Sequence, residues 1–476
     1  MNDAKKYWIT GVLSNKTGLW AGFGWRDIGI GGGALALMLV SSLTNQPWWL
    51  TLAIAGVGGG ALVWLRTANA VGEQVADTLS SAWYRWLIRR AGMNRHATGV
   101  PVLVGAVQSL EVGATHDHPG VAMFAVTGAK PSQAYYTAMV FIYGSSRGAK
   151  DQEGEDRKAV DFSRFLNRLA DPTYPVDQVD VVTRVAPDTL QAYRDQNCAS
   201  WVGPAPAVAA MMSLVTEMSG QGMAVTSWLV IRMPVARLRE AAFDTVVEAA
   251  HDTVDRVIAL ASLHGLRPWL NATPRRVGAV LRNLYDPDHS ITDLSGVAGP
   301  WDGIPPWHDE RQYIATDKWA HSVGIVSRDG WPWLPVDADV LDQILVAPGS
   351  HTPITVQVQF SLIARQEALE KARSASAMAE GAISQNDQKR QVSTGEETDQ
   401  STAADVAIDT IRHGSAGVSP VIRVMVSAPD WRRLRRTREE IRTRFISAGF
   451  TSVTWCDKDQ PRHMGCLWPL GRGVKQ

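Results

Sequence analysis

ITVQVQFSLIA, residues 354–364, alternates apolar and polar side chains with a period of two, the mark of a half-buried strand. On its N-terminal side stand the apolar runs His321–Val326 and Val340–Leu345, and together the three open a folded unit over residues 291–476. On its C-terminal side, residues 365–414 are rich in Ala, Glu, Gln, Ser and Asp and include ISQNDQKRQVSTGEETDQSTAADV. The middle of that tract cannot bury much, so it predicts the two arms of an exposed helical hairpin with a mobile polar tip. The folded pattern then resumes with a strand at Val421–Ser427, a helix at Trp431–Ala448 and a strand at Ser452–Cys456, completing an α+β sandwich.

Upstream, residues 100–290 show the same mixed texture. Strands are predicted at Pro101–Val107, Ala122–Val126, Ala138–Tyr143, Val179–Val185 and Thr226–Met233, with helices near Phe162–Leu169, Ala207–Met218 and Ala241–Leu263. That spacing predicts a first split βαβ, ferredoxin-like unit, an antiparallel sheet covered on one face by helices.

The N-terminus reads differently. Ile28–Leu43 (IGIGGGALALMLVSSL) and Trp48–Leu65 (WWLTLAIAGVGGGALVWL) carry no charge, and four uncharged residues join them. They predict a transmembrane helical hairpin over 28–66. Lys5, Lys6, Lys16 and Arg26 precede it and Arg66 follows, which places both termini and the soluble body in the cytoplasm, at the inner membrane. Trp20, Trp25, Trp48, Trp49 and Trp64 crowd these segments as an interfacial belt would. Gly29 with Gly33, and Gly56 with Gly60, put small residues on one helix face, for packing within the hairpin or against another subunit. Residues 1–27 form a cytoplasmic segment, and 67–99 read as a basic amphipathic juxtamembrane helix with Arg85, Arg89, Arg90 and Arg95.

Chemistry is sparse. Lys and Arg total 47, as do Asp and Glu, so no global field attracts nucleic acid or an acidic substrate. Cys198, Cys456 and Cys466 are too few and too scattered for a disulfide framework or a metal cage, and read as small buried residues. No phosphate-cradling GxxxxGK[ST], HExxH, GxSxG or CxxC occurs. The glycines of GFGWRD, Gly22 and Gly24, are not followed by the third glycine of a dinucleotide fingerprint; Asp27 stands there. THDH (His116, Asp117, His118) and WHDE (Trp307, His308, Asp309, Glu310) bring imidazole near carboxylate but read as polar loops. The expectation is a chain without catalytic residues, metal or cofactor. The one local charge concentration is the helix at 431–448, with Arg432, Arg433, Arg435, Arg436, Arg438, Arg442 and Arg444 against Glu439 and Glu440. Such a face is solvated, or docks an acidic partner, anionic lipid or nucleic acid.

YRWLIRR (Tyr84–Arg90), VAPD (Val185–Asp188), YDPD (Tyr285–Asp288), WPWLPV (Trp331–Val336), SAPDW (Ser427–Trp431) and PLGRG (Pro469–Gly473), in this order behind an apolar hairpin, resemble a membrane protein family of actinobacterial conjugation clusters. Those clusters resemble type IV secretion systems. The resemblance spans nearly the whole chain and implies a soluble part like the non-motor region of conjugation ATPases. It implies a non-enzymatic scaffold that docks a cytoplasmic ATPase at a membrane channel, with the lipid bilayer, other secretion or conjugation subunits and further copies of itself as partners. The alternatives are an E-type membrane component of a type VII secretion system, and a membrane-tethered nucleic-acid binder acting through helix 431–448.

Overall fold

Strand pairing on both sides of the alternating run sets the arrangement of everything else. The computed structural model describes residues 95–96, 107–112, 120–126, 134–142, 152–188, 206–210, 213, 222–240, 243–310, 312–326, 340–345, 352–388, 395–412, 417–457 and 460–471. Its strands are β1 (Arg95–His96), β2 (Val107–Val112), β3 (Val121–Val126), β4 (Tyr135–Ile142), β5 (Gln178–Pro187), β6 (Met223–Pro234), β7 (Trp307–Asp309), β8 (Ile314–Ala315), β9 (Ala320–Val326), β10 (Ile354–Ile363), β11 (Gly417–Ala428) and β12 (Thr454–Trp455). They join in one antiparallel sheet, in the order β1-β7-β8-β9-β11-β10-β5-β6-β4-β3-β2, with β12 added beside β9. The central strands are dense in Val and Ile, which pack well on a pleated surface.

The helices are α1 (Gln152–Leu169), α2 (Val235–Leu238), α3 (Val246–Leu263), α4 (Pro274–Tyr285), α5 (Val340–Leu345), α6 (Arg365–Gln388), α7 (Gly395–Arg412), α8 (Trp431–Ser447) and α9 (Gln460–Cys466). Local chemistry starts several of them. Thr245 and Glu248 form a reciprocal capping box at α3. Thr273 caps α4, with Pro274 at its first position. The Asp430 carboxylate accepts from the Arg433 N–H at the start of α8.

Both sheet faces are covered. On one, α1 and α3 lay Phe165, Leu169, Val254 and Val257 on Met123, Val140, Val179 and Ile231. Alongside, Ile344 of α5 and Leu434, Ile441 and Phe445 of α8 lie on Val356, Val424 and Val426. On the other, α4 and the C-terminal segment bring Leu281, Leu284, Met464, Leu467 and Trp468 onto Phe124, Met139, Trp228, Val323 and Met425. Each such side chain contributes about 1.5–3 kcal/mol on burial.

This architecture corrects the sequence-based fold class of a transmembrane hairpin followed by two separate α+β sandwiches. Strands from residues 100–290 and from 291–476 belong to one sheet, joined where β10 pairs with β5 from Ile354 opposite Val185 to Ser361 opposite Gln178. Among the described residues no helix is long and apolar enough to cross a membrane. Periodicity reports which face a side chain occupies and carries no information about what lies beyond a strand's edge, so the two stretches read as independent. The alternating run is not half-buried either. Thr355, Gln357 and Gln359 are as buried as Val356 and Val358, because the polar side of the strand also has a roof. Val340–Leu345 is a short helix, and Trp307–Asp309 of WHDE is strand β7 rather than loop. The expected hairpin 28–66, with Gly29, Gly33, Gly56 and Gly60, lies outside the described residues. So does the expected juxtamembrane helix, apart from Arg95 and His96, which pair with β7.

Helices α6 and α7 occupy the connection between β10 and β11. These strands are paired neighbours along their whole length, with Ile363 opposite Gly417, and a turn of a few residues would join them. Instead the chain extends by 24 and 18 helical residues, an arm on the order of 30 Å long. Ala368, Ala372, Ala407 and Ile411, buried between the two helices, pack on one another and on Ile363 at the root. Arg365 fixes that root by donating to the Ile411 and Arg412 carbonyls at the end of α7.

Candidate functional site

The roofed polar face of the central strands was invisible in the sequence, because its members are single residues spaced along separate strands. Asp180 on β5 accepts from Gln178 Nε2 (2.8 Å) and from Gln357 Nε2 of β10 (3.0 Å). Arg423 on β11 donates to Gln359 Oε1 (2.7 Å) and Gln357 Oε1 (3.3 Å), so the amide of Gln357 relays between guanidinium and carboxylate. Gln357 also donates to the Cys466 carbonyl and Gln178 to the Gly471 carbonyl, which fastens the C-terminal segment to the sheet. Gln460 accepts from the Val323 N–H at 2.6 Å.

Beside this cluster, Arg184 is fully buried. It donates to Asn283 Oδ1 (3.1 Å), the Asn283 carbonyl (2.9 Å) and Thr355 Oγ1 (2.9 Å), tying α4 to the sheet. His321 Nδ1 lies 2.9 Å from Ser427 Oγ, opposite it across β9 and β11. A base next to a hydroxyl has the form of a nucleophilic pair. Here both residues are sealed, at 0 % and 1 % exposure, so no substrate carbonyl reaches Ser427. The arrangement holds layers together and offers no open site for chemistry.

Burial governs the protonation states. It pushes the Asp180 carboxyl up to about 7, opposed by its amide donors and Arg423. It pushes His321 and His463 down to about 3, reinforced by Arg184 at the first and by Arg423 and Arg462 at the second. Both imidazoles are therefore neutral at pH 7. In the unfolded chain each titrates near 6.5, so between 6.5 and 3 the unfolded state binds protons that the folded state does not, and stability falls as pH drops. Asp180 has the opposite sign, losing stability as pH rises from about 4 to about 7. Asp177, also raised by burial, shares that sign, so the imidazoles are read by difference: between pH 4 and pH 6.5 the denaturant midpoint of the unaltered chain is expected to climb more steeply than that of a His321→Gln/His463→Gln variant. An unchanged slope in the variant would refute the neutral-imidazole assignment.

The arginines of α8 divide into two sets. Arg438 Nη2 donates to both carboxylate oxygens of Asp457 (3.0 and 3.2 Å), and the guanidinium lies over the Trp455 ring. Arg442 pairs with Glu439, Arg444 with Glu440, and Arg433 with its helix cap Asp430. Arg432, Arg435 and Arg436 are exposed, and no carboxylate among the described residues pairs with them. Their i, i+3, i+4 spacing puts them on one face.

Elsewhere, an open cleft of about 630 Å³ at the ends of α1 and α3 is lined by Arg164, Arg168, His264, Arg365 and Asp171. Arg164 there pairs with Asp161, and Arg365 is engaged at the arm root. Among the described residues no group of three His, Cys, Asp or Glu side chains is placed to hold a metal. Cys456 and Cys466 are buried; Cys198 and THDH lie outside the described residues. No protein-family model and no curated protein matches the chain.

Three of the motifs that carried the family resemblance lie at element ends. VAPD closes β5, YDPD closes α4, and SAPDW joins β11 to α8 through the capping Asp430. Gly471 of PLGRG takes φ +55°, a backbone region that favours glycine, and presents its carbonyl to Gln178. WPWLPV and YRWLIRR lie outside the described residues.

Proposed function

We propose that the chain is a non-enzymatic scaffold subunit of a conjugative, type IV secretion-like apparatus at the inner membrane. It holds other subunits, a cytoplasmic ATPase among them, with the α6–α7 arm as an assembly element. The observation that carries this reading is the arm itself. A connection that a short turn would close has become two long helices whose described side chains bury little on the sheet beyond Ile363 at the root. Long insertions of this kind are usually lids, docking elements or linkers, and a helical pair is built for docking more than for a linker. The sealed polar network favours a structural role, and the charge-free runs at 28–43 and 48–65 favour a membrane location.

Replacing residues 365–416 by a short Gly-Ser turn tests it. The shortened protein is expected to fold with nearly unchanged thermal stability. In a mild-detergent pull-down from native membranes it should recover at least about tenfold less of the subunits that the full chain retains, a loss of about 1.4 kcal/mol in binding. Equal recovery by the two proteins would remove the arm from assembly.

A further inference from the structure

The arm and α8 carry opposite charge. Helix α7 has Glu396, Glu397, Asp399, Asp405 and Asp409 against Arg412 alone, with the first three in its opening turns, at the arm's tip. The unpaired face of α8 has Arg432, Arg435 and Arg436, also in the opening turns. Acids suit a helix N-terminus, whose partial charge is positive, whereas three cations there are disfavoured by the same dipole. The α8 face therefore holds a local electrostatic cost that an acidic occupant relieves.

That occupant is not the chain's own arm. The arm roots at Gly417, where β11 begins, while α8 starts beyond Ala428, where β11 ends. Twelve strand residues separate the two points, about 40 Å. Helix α7 runs from tip to root, and its described buried side chains pack on α6 and on Ile363 at that root. A second copy has no such restriction. Glu439, Glu440 and Asp430 border the arginine face, so its positive footprint is as short as a helical turn or two and does not continue as a track for a nucleic-acid backbone.

We infer that the arm's acidic helix α7 docks on the Arg432–Arg435–Arg436 face of α8 in a neighbouring copy. This inference rests on the arm being an assembly element and names its receptor. The contact joins two different surfaces, so it is heterologous and generates a ring or a filament rather than a two-fold dimer.

Charge exchange tests it on the full-length protein in mild detergent, read by sedimentation velocity at low salt. One variant carries Arg432→Glu, Arg435→Glu and Arg436→Glu; the other carries Glu396→Arg, Glu397→Arg and Asp399→Arg. Each alone is expected to self-associate at least about tenfold more weakly than the unaltered chain. Their equimolar mixture, and a chain carrying all six substitutions, are expected to associate again. Raising salt toward 1 M should weaken association, because screening then acts within about 3 Å. Variants that associate as the unaltered chain does, or a mixture that fails to recover, would overturn the inference. Loss of retention on DNA by the α8 variant with self-association intact would likewise overturn it, making nucleic acid the occupant. If those variants associate normally while the arm-shortened protein still loses its membrane partners, the arm's assembly role stands and this receptor is wrong.

Discussion

Trp468→Ala is expected to lower stability by about 3–5 kcal/mol, enough to leave much of the protein unfolded at moderate temperature. The indole is 1 % exposed and sits among Met464, Leu467 and Leu470 on the roofed face of the sheet, with Trp301 at 6.4 Å between ring centroids. Removing it does more than open a cavity. The same segment supplies the Cys466 and Gly471 carbonyls to Gln357 and Gln178, and Gln460 to the backbone of β9. When the segment loosens, Gln357 and Gln178, the amides that hold Asp180 and Arg423, lose the carbonyls they donate to, so the polar and apolar losses couple instead of adding independently. Denaturant titration of Trp468→Ala against Trp468→Phe separates the two. The Phe variant keeps most of the packing and is expected to cost less than half as much. Near-equal stability of Trp468→Ala and the unaltered chain would mean that the C-terminal segment is not the roof described.

Gly303→Ala is expected to be as damaging, by at least about 3 kcal/mol, for a steric reason. A Cβ at position 303 would lie 1.7 Å from the Gly278 carbonyl oxygen of α4, and one at 278 would lie 2.4 Å from the Gly299 carbonyl oxygen. Backbone meets backbone there, and no flexible side chain is available to move aside. The two glycines let the 299–303 loop touch α4, the helix that carries Asn283 to Arg184 and Leu281 and Leu284 to the core. Gly381 provides the contrast. It lies within α6 with nothing within 4 Å of an added Cβ, and Gly381→Ala should stabilise by about 0.5–1 kcal/mol through the unfolded chain's lost freedom. Thermal melts of the two variants should therefore shift in opposite directions.

The contrast between these sites shows what a sequence makes legible. Strand positions were readable wherever apolar residues alternate, as in β10 and β11, since period two is a local property. The helical arm was readable too, because the composition of 365–414 excludes a buried role. The roof was not readable. Gln357, Gln359 and Arg423 look like solvent-facing residues of a half-buried sheet, and only the return of residues 460–471, far along the chain, covers them. The partition of the α8 arginines was hidden in part. Arg442, Arg444 and Arg433 pair with acids three or four residues away, a local pattern, but Arg438 is neutralised by Asp457 from beyond β12. The merger of the two expected sandwiches into one sheet depends on the β5–β10 edge contact, to which no local pattern points.

The central claim, that the arm engages another subunit, is tested most directly by placing a photo-crosslinking residue at Thr402, exposed on α7, and irradiating native membranes. The account predicts a covalent adduct to a second subunit, lost when the arm is shortened, with peptides from α8 of a neighbouring copy where the arm meets its own kind. A chain recovered without any intermolecular adduct, under conditions where the same residue reacts efficiently elsewhere on the surface, would contradict it.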